Sequence, residues 1–155
     1  MPRSAATVPA VRPGTAGPAR TVAEAMVTEV GLSARNSTVG ELRALFCDEH
    51  VHAAVVVEDG VLLAVVDRAD LEGARDEDVA LPRGGLRSRT IDPGADLEHA
   101  RHLMLAAGRR RLAVVTDDGR FCGLLCLKRT RRGFCSDRDV RARSDERRSG
   151  SNARP

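Results

Sequence analysis

The chain has 155 residues, 25 of them Lys or Arg and 22 Asp or Glu, and this length suits one compact domain or two small repeated units. Hydrophobic residues make up 42% of the chain, an ordinary share that argues against a wholly disordered protein. No apolar run approaches the roughly 20 residues that cross a bilayer, so no membrane-spanning helix is predicted. Three Phe and no Trp or Tyr leave few rings for binding single-stranded nucleic acid by base stacking.

The net charge of +3 conceals an uneven distribution of charge. Residues 1–20 carry +3, residues 21–72 carry −7 and residues 73–155 carry +7. Such asymmetry predicts either contact between oppositely charged halves or an anionic partner for the C-terminal half.

Both ends differ in composition from the middle. Residues 1–20 contain four prolines and no continuous apolar stretch of signal-peptide length, so they are predicted to form a disordered leader. Residues 144–155 are polar and nearly free of apolar side chains, which predicts a disordered tail. Because no signal segment is recognised, the expected location is the cytoplasm.

The four cysteines are Cys47, Cys122, Cys126 and Cys135, and their spacing matches no disulfide framework. In a reducing cytoplasm they are expected to be thiols. Two sets of residues offer a metal-site alternative, Cys122 and Cys126 with His99 and His102, or Cys47 with His50 and His52. Neither set has the spacing of a zinc knuckle, so buried thiols and solvated histidines are the simpler interpretation and no metal is predicted.

An internal repeat organises the chain. Four positions of one segment recur 58 residues later, so that Val39, Leu42, Leu45 and Phe46 correspond to Leu97, Ala100, Leu103 and Met104. This spacing predicts two amphipathic helices, each with one buried face. Thr38 with Glu41 is a candidate capping box for the first helix, and Asp96 is a candidate cap for the second.

Each helix is followed by two apolar runs that flank an Asp-Gly sequence. The runs are residues 53–57 and 61–66 in the first copy, and residues 112–115 and 121–127 in the second. Asp-Gly between two such runs predicts a β-hairpin. A polar stretch then follows in each copy, residues 67–73 or 128–133, and could begin another helix. A unit this small cannot bury both faces of its strands, so the copies are expected to pack on each other.

These motifs resemble a tandem pair of CBS domains, the module named after cystathionine β-synthase and also called a Bateman module. In the second copy the resemblance rests on residues 93–98 (PGADLE), 108–115 (GRRRLAVV) and 117–120 (DDGR). In the first copy it rests on residues 37–41, 55–60 and 65–71, preceded by residues 21–27, which look like the helix that leads into a first copy.

The resemblance implies an α/β (α+β) fold in which two CBS units, residues 21–73 and 74–143, pack as a pseudo-twofold pair with two clefts between them. In many members such clefts bind AMP, ATP or S-adenosylmethionine and thereby regulate an attached or partner protein. A noncatalytic regulatory module is therefore expected, with no required cofactor and with a regulated protein that the sequence does not identify. The family also associates commonly into disc-like homodimers through helical faces.

The family's ligand signature is a hydrophobic pair, then Ser or Thr, two variable residues and Asp. In the first copy the acid that would bind a ribose is Asp70, but Asp67 replaces the hydroxyl residue that would face a phosphate. In the second copy these positions hold Cys126 and Arg129, so the ribose acceptor is missing and Arg129 could bind a phosphate instead.

The same residues have a structural interpretation. Asp67 and Asp70 stand at the N-cap and capping-box positions of a short helix that follows the strand. Arg109, Arg110 and Arg111 could line a phosphate-binding entrance or form a solvated face. The sequence leaves these alternatives open.

Other functions compete with ligand sensing. An enzyme is not expected, because no catalytic triad, Walker loop or metal-ligand framework is present in the sequence. Nucleic-acid binding is a less favoured alternative, since residues 128–148 hold nine Lys and Arg but also four acids. A purely structural dimerisation module is the third, with the acidic copy of one chain facing the basic copy of another.

Overall fold

The computed structural model describes residues 20–138, so the predicted tail and all of the predicted leader except Arg20 lie outside the described residues. Its helices are α1 (Val22–Ala25), α2 (Val39–Leu45) and α3 (Leu97–Ala107). Its strands are β1 (Leu32–Ser33), β2 (Ala53–Glu58), β3 (Val61–Asp67), β4 (Thr90–Ile91), β5 (Arg111–Val115) and β6 (Phe121–Cys126). Two 3₁₀ turns, Arg68–Leu71 and Leu81–Arg83, connect the two halves.

The strands form two three-stranded sheets with the same topology, β1-β2-β3 and β4-β5-β6. In each sheet the first strand is parallel to the middle one, and the third is antiparallel to it. Both predicted hairpins are confirmed. Asp59 (φ 53°) and Gly60 (φ 81°) both adopt positive φ, as an Asp-Gly hairpin turn requires. The repeat is therefore a structural one, and the α/β pair predicted from it is confirmed.

Side chains on the middle strands alternate between two cores. In β2, Val56 packs with the buried face of α2, whereas Val55 points to a core that both copies share. In β5, Val114 packs with the buried face of α3, and Ala113 points to the shared core. Because successive side chains of a strand point to opposite faces, one face of each sheet packs against its own helix. The opposite face packs against the other copy.

The two long helices bury a narrower stripe than the repeat predicts. Leu42 and Met104 are almost fully buried, but Leu45 and Leu103 are 39% and 47% exposed. Both exposed residues occupy the third position of the repeated pattern, six residues after the first. At about 100° per residue that position lies about 120° away from the first one around the helix, at the edge of the buried stripe. The prediction that these two leucines are buried is wrong.

The segments after the two hairpins also differ from each other. Residues 68–71 form the short 3₁₀ turn after β3, but the prediction that residues 128–133 begin a helix is wrong. There the chain turns back, and Leu127 pairs with Phe134 in an antiparallel bridge. A helix cannot form because these residues close that turn, with Lys128 N–H donating to the Gly133 carbonyl at 2.8 Å.

Each copy also receives a segment from elsewhere in the chain. The lead-in residue Val27 exchanges two backbone hydrogen bonds with Leu124 of β6, at 2.7 and 2.9 Å. Conversely, residues 74–85 pack on the first copy, where Val39 N–H donates to the Asp78 carbonyl at 2.8 Å. The boundary between the two units at residues 73 and 74 stays a prediction.

The close approach of the lead-in segment predicts a strong effect at Gly123. A Cβ on Gly123 would lie 2.6 Å from the Val27 carbonyl oxygen and 3.1 Å from Met26 Sδ. We expect Gly123→Ala to lower the free energy of unfolding by about 2 kcal/mol, since overpacking a tight contact forces the backbone to shift. Urea denaturation measures this change. Gly133→Ala is the control, because a Cβ added there would meet nothing within 4 Å, and an equal loss in both variants would contradict the steric explanation.

Candidate functional site

Two clefts lie at the end of the strands that is remote from the hairpin tips. At this end Ala53 pairs with Asp67 in the first copy, and Arg111 pairs with Cys126 in the second. Ala53 therefore corresponds to Arg111, and Asp67 corresponds to Cys126. Because the copies face each other, each cleft combines a strand end of one copy with loops of the other.

The first cleft, here called the charged cleft, has a volume of about 290 Å³ and combines acidic and basic side chains. It is lined by His52, Asp67, Ala107, Gly108, Arg109, Arg110 and Arg111. Gly108 adopts the left-handed conformation (φ 66°) at the C-cap of α3, which turns the chain and brings the three arginines to the cleft.

Four charged residues join the two copies beside this cleft, and two of them, Asp67 and Arg109, line it. Arg89 Nη1 and Nη2 donate to the two oxygens of Asp70 at 2.6 and 3.2 Å, a bidentate pair. Arg109 Nη1 donates to Asp67 Oδ2 at 3.0 Å, and Arg89 Nη1 lies 3.6 Å from the same oxygen. Both acids belong to the first copy and both arginines to the second. The four side chains are 17–24% exposed, so solvent screens these pairs only in part.

The network changes the ionisation of its members. Burial alone raises the pKa of Asp70, but the Arg89 hydrogen bond and one from the Asp67 N–H outweigh it and lower that pKa. The Asp70 hydrogen bond raises the pKa of Arg89 in turn. Asp70 accepts the Asp67 N–H at 2.8 Å, so it makes the predicted capping contact as well as the ion pair.

Arg89 is the member of the network that the sequence does not indicate. It precedes the two-residue strand β4, and its counterpart in the first copy, by strand register, is Gly31. The second cleft therefore has no equivalent of the bidentate pair. No local motif marks Arg89, because its partner Asp70 lies 19 residues away.

The second cleft, here called the apolar cleft, has a volume of about 280 Å³. Its apolar wall consists of Val27, Val30, Leu45, Val51, Ala53 and Leu124, and Cys126 also lines it. Its polar rim includes Arg111, His50 and His52. Burial, reinforced by Arg111 and Arg110, lowers the pKa of His52 to about 4, so this imidazole is neutral at pH 7.

The predicted site residues are thus divided between the clefts. Asp67, Asp70 and Arg109 belong to the charged network, Cys126 to the apolar cleft, and Arg111 lines both clefts. Arg129 lies on the exposed turn after β6 and lines neither of them. A role of these residues in ligand binding stays a prediction.

Two other predictions concern metals and the basic C-terminal segment. Between residues 20 and 138, no group of three or more His, Cys, Asp or Glu side chains is arranged to hold a metal ion. In the same range no helix has the length and apolar character needed to cross a bilayer.

Part of residues 128–148 lies outside the described residues. Within the described part, Asp137 accepts hydrogen bonds from Thr28 N and Oγ1, and the nucleic-acid alternative stays a prediction.

The Asp70 network predicts a pH-dependent contribution to stability. We expect Asp70→Asn to lower the free energy of unfolding at pH 7 by about 2 kcal/mol, between the usual values for exposed and buried ion pairs. Since the pKa of Asp70 lies below its ordinary value of 3.8 in the folded state, this stabilisation is fully present above pH 3.8 and disappears as the pH falls through the lower folded-state pKa.

Urea denaturation of both proteins from pH 7 down to pH 3 measures that difference. Glu77→Gln is the matched control, because the Arg75–Glu77 pair is 77% and 66% exposed and is expected to contribute less than about 1 kcal/mol. A difference for Asp70→Asn that does not shrink at low pH would contradict the ion-pair explanation.

Comparison with known proteins agrees with this architecture. Residues 87–132 match the family model of the CBS domain. No curated protein sequence matches the chain. Among solved structures, CBSX2 in complex with AMP is 22% identical, with a TM-score of 0.61 over 83% of this chain and 99% of that one.

Two further structures resemble the chain to a similar degree. A CBS domain protein from Pyrobaculum aerophilum complexed with AMP is 19% identical, with a TM-score of 0.59 over 71% of this chain and 93% of that one. A CBS domain pair/ACT domain protein from Thermotoga maritima is also 19% identical, with a TM-score of 0.59 over 69% and 89%. At these identities the likeness concerns the fold, which is that of a CBS domain pair.

Proposed function

The chain is a tandem CBS-domain protein, and we propose that it is a noncatalytic regulatory module that senses an adenosyl-containing ligand and signals to a partner protein. AMP, ATP and S-adenosylmethionine are the ligands considered. The observation that carries the proposal is the apolar cleft, because both copies build it and a ligand bound there would favour one arrangement of the copies over others. Two of the similar structures are described as complexes with AMP, which supports this ligand class.

The apolar cleft suits the two chemically different ends of a nucleotide. Its volume of about 280 Å³ is near the lower end for small-molecule pockets, so one nucleotide would fill it. Val30, Val51 and Leu124 offer an aliphatic surface for a flat base. Arg111 at the rim can donate hydrogen bonds to a phosphate. Because an anion favours protonated imidazole, a bound phosphate is also expected to raise the pKa of the neighbouring His52.

The charged cleft would respond to a ligand in a different way. A phosphate near Arg109 must compete with Asp67, and a ribose that reaches Asp70 beside this cleft must compete with Arg89. Binding in this cleft therefore requires breaking ion pairs that join the two copies. We propose that Asp67, Asp70 and Arg109 couple ligand occupancy to the relative arrangement of the copies in this way.

The proposal of a noncatalytic role rests on the state of Asp70, the acid that Arg89 binds beside the charged cleft. Asp70 has a lowered pKa and is held by two hydrogen bonds from Arg89. A general acid or base works best when its pKa is near the working pH, and this carboxylate is shifted in the opposite direction.

Calorimetric titration with AMP, ATP and S-adenosylmethionine tests the sensor proposal. We expect at least one of them to bind with a Kd of about 1 mM or lower. For AMP or ATP, Arg111→Gln is expected to weaken binding at least about tenfold, because a charged hydrogen bond contributes about 1.5–3 kcal/mol. S-adenosylmethionine, which has no phosphate, should be affected less.

Arg87→Gln is the matched control for this titration. Arg87 is exposed and lines neither cleft, so its replacement removes the same charge without changing the site. If none of the three compounds releases heat or raises the melting temperature at millimolar concentration, the proposed function is wrong.

We also propose that the chain forms a homodimer through α2 and α3. The support is the exposure of Leu103 (47%) and Leu105 (37%) on α3, together with that of Leu45 on α2, which also lines the apolar cleft. Sedimentation is expected to show a dimer for the unmodified chain and a monomer for Leu103→Glu. Leu86→Glu is the control, because Leu86 is similarly exposed (42%) but lies outside the helices. A monomer at every concentration and salt condition would refute the dimer.

A further inference from the structure

Cys126 and Cys135 lie opposite each other on adjacent backbone segments. After β6 the chain turns back, and Leu127 pairs with Phe134 in an antiparallel bridge. One of the hydrogen bonds that frame this bridge runs from the Cys135 N–H to the Cys126 carbonyl at 2.8 Å. The two cysteines are therefore opposite each other. Each is the neighbour of a bridge residue, on the side away from the turn.

Their side chains also point to the same place. Both belong to the core shared by the two copies, and they are 7% and 8% exposed. Opposed residues of an antiparallel pair have Cα atoms about 4.5–5.5 Å apart, within the range of about 4.4–6.8 Å that a disulfide spans. The backbone geometry therefore permits a bond between the two sulfur atoms.

Each cysteine also borders a cleft that a small molecule can enter. Cys126 lines the apolar cleft, whereas Cys135 lines a larger cleft of about 910 Å³ that α1, α3 and residues 132–138 enclose. Each of the two clefts thus borders one member of the pair. A small oxidant can thus approach it from either side although both residues are largely buried.

Arginines lie near the pair, although acidic side chains such as Glu29 and Asp137 also line the two clefts. Arg110 Nε donates to the carbonyl of Leu127, the residue between Cys126 and the turn, at 3.1 Å. Burial lowers the pKa of Arg110, and its attraction to Cys135 opposes that effect. Arg111 lines the apolar cleft together with Cys126. The thiolate is the form of cysteine that reacts with oxidants.

We propose that Cys126 and Cys135 are a redox-active pair that forms a reversible intramolecular disulfide when a peroxide oxidises it. The thiolate of one cysteine attacks a peroxide oxygen, giving a sulfenic acid and releasing hydroxide, which takes up the proton that the thiol lost. The second thiol attacks the sulfenic sulfur, forms the S–S bond and releases water. In total two thiols and one hydrogen peroxide give one disulfide and two waters, and a thiol reductant reverses the oxidation.

The disulfide would act on the rim of the apolar cleft. Asp137, two residues after Cys135, accepts hydrogen bonds from Thr28 N, Thr28 Oγ1 and Glu29 N at 2.7, 2.8 and 3.0 Å. Glu29 lines the apolar cleft. Oxidation ties this segment to β6 and draws the Cys126 sulfur toward Cys135, so it changes the ligand affinity of the cleft. This consequence rests on the proposed function, whereas formation of the disulfide does not.

Peptide mapping after peroxide treatment tests the bond. Hydrogen peroxide is added to the reduced full chain, the remaining thiols are alkylated, and the protein is digested with trypsin. Trypsin separates residues 121–128, which contain Cys122 and Cys126, from residues 133–138, which contain Cys135. We expect the titratable thiols to fall from four to two, and these two peptides to stay linked until a reductant is added.

Cys122→Ser makes the assignment unambiguous and leaves both proposed partners in place. We expect the link to persist in this variant and to be absent in Cys135→Ala. If the link disappears in Cys122→Ser, joins two chains, or never forms because the cysteines become sulfinic acids, the proposal is wrong. The unmodified chain and Cys122→Ser decide the question even if Cys135→Ala does not fold.

Calorimetry with AMP tests the coupling to the apolar cleft. We expect the Kd of Cys122→Ser for AMP to differ at least about threefold between its reduced and oxidised forms. Equal affinities would overturn the coupling although the disulfide forms. Absence of AMP binding in both forms, with the disulfide present, would overturn the coupling and count against the proposed function for AMP.

Discussion

Each small sheet of this protein has an apolar face that its own chain segment cannot cover. α2 and α3 each cover one face, and the opposite faces meet in the core that the two copies share. Alternating side chains along β2 and β5 make this arrangement necessary, because every second residue of a strand points away from the helix. The association of the copies is therefore a requirement of folding, and the clefts between them follow from it.

The two clefts differ because a few residues differ at matching positions. One copy ends its hairpin with Asp67, which binds arginines of the other copy, whereas the matching residue is Cys126. Arg89, which binds Asp70, is matched by Gly31. The same backbone thus forms a cleft closed by ion pairs and a cleft lined mainly by aliphatic side chains. A ligand would meet electrostatic competition in the first and a ready aliphatic surface in the second.

Sequence patterns predicted the parts of the fold that depend on neighbours along the chain. The hairpins follow from Asp-Gly between apolar runs, and the capping box of α2 follows from Thr38 and Glu41. Two-residue strands such as β1 carry too little pattern to be detected. The turn at residues 128–133 depends on the pairing of Leu127 with Phe134, and the Arg89–Asp70 pair depends on packing of the copies. No local periodicity encodes contacts of either kind.

The two hairpin tips are themselves joined by backbone hydrogen bonds. Phe121 N–H donates to the Gly60 carbonyl at 2.9 Å, and Leu62 N–H donates to the Gly119 carbonyl at 3.0 Å. Both clefts lie at the far ends of the strands, about 20 Å from this junction for a seven-residue strand such as β3. A rotation of a few degrees about this junction would therefore move the cleft walls by about 1–2 Å. That displacement is enough to make or break the hydrogen bonds that Arg89 and Arg109 form across the copies.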